Sequence, residues 1–475
     1  MGTNDHYADE IVGRAAQAAE DFRAFDQLAV DRIVRSVFEA AFDARHELAR
    51  LAYEETGIGV YEHKVVKDAW ASVLVYEDIR DRRTVGVLRH DAALGLTEVA
   101  HPKGVIFATL PVTNPTSTTI FKILICMKTR NPVILSPHRA ARRCCRQTAE
   151  ILAEAARRAG APENAVQWTT KPDWEHQEEI MRHPKLALIL ATGTAEIVRR
   201  AQATGKPTLG VGPGNVPVYV HRSADLALAA RYIAHSKTFD NGTVCASEQA
   251  LVVEPDVDRD LRPLLEERGA HFCTAEQTAA LGPVCYDSER RTMRADIVGM
   301  PAAHIAQKAG FQVRNSVRLL VAEPEGVGHE HALSHEILAP VLAYFRVRDY
   351  AEAFAVCEAV CNLGGVGHTL GIYANDEGVV ADFARMNVGR VVINTPATQG
   401  AIGGIFNSLR PSLTLSCGTG AGNLSTDNIT VEHLLNVHRI ARRRPNDRWL
   451  DVPRAAWLDT NVGADEILEM YNRNY

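Results

Sequence analysis

Residues Gly104-Val-Ile-Phe-Ala-Thr-Leu-Pro-Val-Thr-Asn114 decide how this chain folds. The run Gly104 to Leu110 lacks polar alternation, the pattern of a strand covered on both faces. Pro115 suits the first turn of a helix, and the apolar spacing carries that helix through Lys128. Pro132 to Leu135 is a second buried strand, Ala140 to Ala159 a long amphipathic helix, and Ala165 to Thr169 and Leu186 to Ala191 are further strands. Strands alternating with crossover helices predict an α/β chain with a parallel sheet, a common frame for a dinucleotide. No G-x-G-x-x-G fingerprint follows these strands. The glycine-rich piece Gly210-Val-Gly-Pro-Gly-Asn215 has other spacing and an internal proline, so a dinucleotide would bind in a different way.

Upstream, residues 8–55 read as two or three helices, with Ile11, Val12, Ala15, Ala16, Ala19 and Phe22 at helical spacing. Thr84 to Val99 alternates like two strands joined through Arg89 to Gly95, a hairpin pattern. A second α/β region is expected from about Leu226, with a strand over Ala250 to Val253 and a helix from Asp256. A final amphipathic helix is expected in the polar tail after Arg442.

Composition narrows the function classes. A net charge of −6 argues against a general nucleic-acid binder, since no basic excess can neutralise phosphates. The basic runs Arg139 to Arg146 and Arg439 to Arg444 read first as solvated helix faces or ends. No apolar run approaches the roughly 18 residues of a membrane span, and Met1 to Tyr7 carries no signal-peptide core. The nine cysteines are odd in number and lack CxxC or zinc spacing, which suits free thiols in a reducing cytoplasm and no metal site. Cys144 and Cys145 fall in a helical pattern and read as structural.

Cys245 differs. It sits in Phe239-Asp-Asn-Gly-Thr-Val-Cys-Ala-Ser-Glu-Gln249, among small and polar neighbours that leave room for another molecule at the sulfur. A free thiol has a pKa of roughly 8.5, so a nucleophilic one needs a dipole or base beside it.

Five segments complete the pattern: Thr113-Asn-Pro-Thr-Ser117, Gly210 to Asn215, Phe239 to Gln249, His335-Glu-Ile-Leu-Ala-Pro340 and Asn394-Thr-Pro-Ala-Thr-Gln-Gly400. In this order and spacing the chain resembles the aldehyde dehydrogenase superfamily, more narrowly its CoA-acylating branch, from about Ala15 to Asn436. The resemblance implies an oxidoreductase that uses NAD or NADP, with coenzyme A as co-substrate. It makes Cys245 the nucleophile that forms a thiohemiacetal, then a thioester. It assigns the oxyanion to the Asn114 amide and the Cys245 N–H; Asn114 also suits a helix cap before Pro115. It gives Glu336 the nicotinamide ribose, and places Ser136, Pro137, His138, Thr192, Gly193, Thr194 and Gly212 along the cofactor. Arg139, Arg142 or Arg143 is a candidate for a 2′-phosphate. His368 is a further candidate for handling a thiol proton, or a structural hydrogen-bonder. Gln399 and Ile402 are candidates for the pocket wall.

Two departures stand out. Val211 aligns with the glutamate that activates water in hydrolytic members, and valine is no general base. Gly420 replaces a tryptophan of many relatives, in Cys417-Gly-Thr-Gly-Ala-Gly-Asn423, which leaves the pocket or CoA channel open to question.

The expected architecture is a Rossmann-like cofactor domain (1–83 and 102–230), an α/β catalytic domain (231–409), and a small β oligomerisation element with the tail (84–101 and 410–475). The expected partners are an aldehyde, CoA and further copies in a homodimer or homotetramer. Acetaldehyde is the first choice of substrate; succinate semialdehyde and sulfoacetaldehyde are the anionic rivals. A cysteine acyltransferase without nicotinamide is the alternative from another class.

Overall fold

The computed structural model describes residues 6–171, 173–443 and 454–474. They divide into a large unit, Met1–Thr84 with Pro102–Leu435, and a small one, Val85–His101 with Asn436–Tyr475.

The large unit holds two parallel sheets. The first has five strands, in spatial order Val166–Trp168, Val133–Pro137, Val105–Leu110, Leu186–Thr192 and Thr208–Val211. Its central strand, Val105–Leu110, is buried at all six positions and pairs in parallel on both sides. The chain enters this strand first, runs outward to one edge, then returns to fill the other side. The order therefore reverses between Val105–Leu110 and Leu186–Thr192, and ligands of open α/β sheets bind beyond the strand ends at such a reversal. The helix Pro115–Lys128 crosses from there, buried along its whole length against the helices Gln27–Asp43 and Arg142–Arg158. Three helices cover residues 7–56, and the first buries Ile11, Val12, Ala15, Ala18 and Phe22 on one stripe.

The second sheet has seven strands: Ala270–Phe272, Leu319–Ala322, Val341–Arg346, Glu248–Val253, Val216–Val220, Gly367–Tyr373 and Val388–Ile393. This corrects the boundary expected after residue 230. Val216–Val220 is an inner strand of the second sheet, bonded to Glu248–Val253 and Gly367–Tyr373. Its Pro217 argues against a central strand in sequence; the pairing accommodates it with a register shift between Val216 and Pro217.

In the small unit, Gly86–Asp91 and Leu96–Pro102 form an antiparallel hairpin. Its turn is held by the Asp91 carboxylate, which accepts the Leu94 N–H at 3.0 Å, and by Gly95 at φ 63°. Leu435–Ala441 adds a third strand beside Leu96–Pro102, and Ala464–Asn474 is helical as expected. Residues 410–435, expected in this element, fold on the large unit instead. Asn428 there donates to the carbonyls of Ala401 at 2.9 Å and Arg410 at 2.8 Å. The tail stretch 444–453 lies outside the described residues.

Candidate active site

Cys245 is placed by an unusual turn. The helix Leu226–Thr238 ends, and Asp240 and Asn241 follow at φ 48° and 53°, in the left-handed region that residues with a Cβ seldom adopt. Outside contacts hold this turn. Asp240 accepts the Val60 N–H at 2.7 Å and the Thr243 hydroxyl at 2.8 Å, and its own N–H reaches His63 Nδ1 at 2.8 Å. The Asn241 amide donates to the Gly299 carbonyl at 2.8 Å. Two ammonium groups from the helix Tyr61–Ala69 complete the shell: Lys64, at 3.3 Å, and Lys67 both bond the Asp240 carboxylate. Burial pushes the Asp240 carboxyl up, but the two lysines outweigh it and hold the acid below its ordinary range.

Cys245 follows with partial exposure, whereas the other eight cysteines are buried. Burial of its sulfur, helped by the nearby Glu336 charge, pushes the thiol up to about 12, and the Arg390 guanidinium pulls the other way. Arg390 is itself buried, donating to the carbonyls of His368 at 3.1 Å, Ser416 at 2.7 Å and Thr426 at 3.0 Å.

Gly214 joins three of the expected residues. A Cβ there would lie 2.1 Å from the Cys245 carbonyl oxygen and 3.1 Å from His368 Cε1. Its N–H donates to Glu336 Oε1 at 2.7 Å. Burial lifts the Glu336 carboxyl to about 8, against the pull of that N–H and of Lys237. Lys237 fixes the Glu336 loop, bonding the Ile337 carbonyl at 3.0 Å and Gln249 Oε1 at 2.9 Å; that oxygen also takes the Ile337 N–H at 3.0 Å. His368 is fully buried, and its ring is held down to about 3 by burial and by Arg390. It is a neutral imidazole at ordinary pH. Its Nδ1 lies 3.0 Å from Thr369 Oγ1, and Nε2 has no partner.

Asn114 stands at the start of the helix Pro115–Lys128, yet its side chain makes no capping bond. Its Oδ1 accepts from Lys67 Nζ at 2.6 Å, while Nδ2 donates to Thr113 Oγ1 at 3.0 Å and to the Thr243 carbonyl at 3.4 Å. The amide thus bridges the first sheet's strand end to the turn that carries Cys245.

The remaining expected residues line the carboxyl edge of the five-stranded sheet. Ser136 and Pro137 end one strand, and the His138 N–H bonds the Leu110 carbonyl at 3.2 Å. The Thr192 N–H donates to Thr109 Oγ1 at 2.8 Å, and that hydroxyl donates to the Thr192 carbonyl at 3.0 Å. Thr194 caps the helix Ala195–Gln202. The Thr192 hydroxyl is buried without a partner, directly at the point where strand order reverses. An unpaired buried hydroxyl costs stability unless a ligand satisfies it, so this edge fits a dinucleotide. The Lys122 ammonium ties the two central strands just beneath, bonding the carbonyls of Thr109 at 2.7 Å and Leu190 at 3.0 Å.

The two departures also have a place. Val211 is buried at a strand end, with its carbonyl accepting the Gly193 N–H at 3.4 Å. At Gly420 a Cβ would meet Asn387 Nδ2 at 2.7 Å and Val366 Cγ1 at 2.8 Å. Gly420 is thus an exposed position whose Cα lies close against the Asn387 and Val366 side chains. Ile402 packs in one apolar cluster with Val244 and Cys245, and Gln399 is buried with both amide atoms unpartnered.

Sequence reasoning missed Lys67, Asp240, Lys237 and Arg390. Arg390 alone carried a signal, a charge inside the apolar run Val388 to Ile393; Lys67 sits among other charged residues in Tyr61–Ala69.

A thiol, an oriented amide and a carboxylate stand beside a parallel sheet whose strand order reverses, the arrangement of an α/β enzyme site. Residues 2–410 match the aldehyde dehydrogenase family, and the chain belongs to it. It is 38% identical over 474 residues to the bifunctional aldehyde-alcohol dehydrogenase of Escherichia coli, covering 98% of this chain and 53% of that protein. The chain thus spans about half the length of that relative. It is 34% identical to a succinate-semialdehyde dehydrogenase (acetylating) of Clostridium kluyveri, covering 92% of this chain and 96% of that one. The solved structure of an acetylating aldehyde dehydrogenase from Geobacillus thermoglucosidasius is similar with a TM-score of 0.89 and 41% identity, over 92% of this chain and 97% of that one. Among the described residues no helix is long and apolar enough to cross a membrane.

Proposed function

We propose that this protein is a CoA-acylating aldehyde dehydrogenase, converting a short aldehyde, CoA and NAD(P)+ to acyl-CoA and NAD(P)H. The observation that carries the acylating outcome is position 211. A buried valine stands where hydrolytic members place their base, so no carboxylate there activates water against the thioester.

Cys245 passes its proton to solvent and attacks the aldehyde carbon as thiolate. The resulting alkoxide is held by the Asn114 NH2 and the Cys245 N–H. Nicotinamide, when bound, supplies the hydride acceptor, and Glu336 is the carboxylate placed to hold its ribose. The acyl group then rests on Cys245 until the CoA thiol displaces it. The CoA thiol gives its proton to solvent as Cys245 leaves as thiolate; neutral His368, held near pKa 3, is too weak a base to keep that proton, and its unpartnered Nε2 serves only as a hydrogen-bond acceptor.

Acetaldehyde is the favoured substrate. The reading follows the 38% identity to the aldehyde-alcohol dehydrogenase of Escherichia coli, against 34% to the succinate-semialdehyde dehydrogenase. The strand trio of the small unit is read as the assembly element of a homodimer or homotetramer, in the cytoplasm.

The test omits CoA. With aldehyde and NAD+ or NADP+ alone, reduced cofactor should appear as a burst of about one per active site, and steady turnover should need CoA. Sustained acid production without CoA would leave a hydrolytic aldehyde dehydrogenase. Thioester exchange with no change in nicotinamide absorbance would leave a cysteine acyltransferase.

A further inference from the structure

The cluster of Lys64, Lys67 and Asp240 takes no part in the steps above, yet it is among the most deeply buried charge groups of the protein. Lys64 is 2% exposed, Lys67 3% and Asp240 0%. Buried charges are expensive to keep, and a function is a reason to keep them.

The geometry at Asn114 supplies one. An ammonium has donors and no acceptor. The atom facing Lys67 at 2.6 Å must therefore be the amide oxygen, which turns the NH2 group away from the lysine. One NH2 bond goes to Thr113 Oγ1 at 3.0 Å. The other, to the Thr243 carbonyl, is 3.4 Å long and at the weak end for such a bond. That hydrogen is available to a better acceptor on the Cys245 side, because Thr243 lies in the turn just before the thiol. A cation on the amide oxygen also draws electron density from the nitrogen and strengthens its N–H donors. Asp240 completes the device. Its carboxylate fixes Lys67 and also accepts the Thr243 hydroxyl at 2.8 Å, so one anion ties the amide's orientation to the turn that presents the nucleophile.

We propose that Lys67 is a positioning residue of the reaction: locked by Asp240, its ammonium aims and polarises the Asn114 amide toward the alkoxide formed on Cys245. This rests on the reading of Cys245 as nucleophile and Asn114 as oxyanion donor. A lysine that merely stabilises the fold would act independently of Asn114; a positioning lysine acts only through it.

A double-mutant cycle separates the two, read as the single-turnover burst rate with aldehyde and nicotinamide. Asn114→Ala should slow the burst about 100- to 1000-fold and Lys67→Met about 10- to 100-fold, with the aldehyde KM little changed. The double variant should be no more than about threefold slower than Asn114→Ala alone. Losses that multiply would overturn the proposal. If Lys67→Met fails to fold, Lys67→Arg and Lys67→Gln are compared with and without Asn114→Ala. Arginine should outperform glutamine only while Asn114 is present, and an equal gap in both backgrounds would also overturn it. Absence of any burst in the unmodified protein would sink the functional reading instead, whereas a normal burst with multiplying losses sinks the positioning role alone.

Discussion

Asn114 had two compatible readings in sequence, oxyanion donor and helix cap, and its bonds remove the second. The side chain caps nothing and is held by Lys67. Asn114→Ala should therefore cost roughly 2.7–4 kcal/mol of transition-state stabilisation in the burst. Its melting temperature should fall as well, because buried Lys67 loses a 2.6 Å partner; a thermal loss with normal kinetics would leave Asn114 a purely structural residue. Glu336 carries a pH signature. Its carboxyl is lifted from 4.5 to about 8 in the folded protein, so the unfolded chain releases that proton first. The stability this group contributes is full below pH 4.5 and is lost as pH rises through 8. Glu336→Gln should gain melting temperature relative to the unmodified protein as pH goes from 5 to 8; a pH-independent difference would contradict the buried, neutral carboxyl. Cys245, Asn114 and Glu336 could be proposed from sequence because each sits in a local motif. Lys67 could not, since its partner Asp240 is 173 positions away and the pairing exists only after folding.

At the scale of elements, four of the first sheet's five strands were readable, mostly as apolar runs beside prolines or glycines; Thr208–Val211, which runs into the glycine-rich piece from Gly210, was not. Nor was Val216–Val220, because Pro217 inside it is the usual mark of an edge or a loop. The Gly-Pro-Gly stretch before that strand has a role that spacing alone could not reveal: it lets the backbone pass between Cys245 and His368. Gly214→Ala puts a methyl 2.1 Å from the Cys245 carbonyl oxygen, backbone that cannot swing aside as a flexible side chain would. The variant should lose the burst almost entirely, and, since Gly214 also donates to Glu336, weaken nicotinamide binding with it. Unchanged nicotinamide affinity would detach Gly214 from the cofactor side. The glycine that replaces tryptophan left the pocket undecided in sequence, and its exposed place beside Asn387 and Val366 emerges only from the fold.

Across the whole molecule the division into units was half legible. The hairpin announced itself by alternation and its turn, but residues 410–435 carry no compositional break from the tail and belong with the large unit through long-range bonds to Arg390 and Ala401. The same long-range packing decides the fate of the sulfur atoms. Of nine free thiols, eight belong to buried residues, and Cys245 alone is partly exposed. Burial that shields the eight makes the native protein behave, toward a small alkylating probe, as though it contained one cysteine. A maleimide or haloacetamide should attach in one equivalent per chain, faster as pH climbs toward the thiol's value of about 12, and Cys245→Ala should abolish the attachment. A fluorophore or crosslinker can accordingly be installed beside the reacting atoms without first removing any other cysteine, and each labelled chain reports on one place.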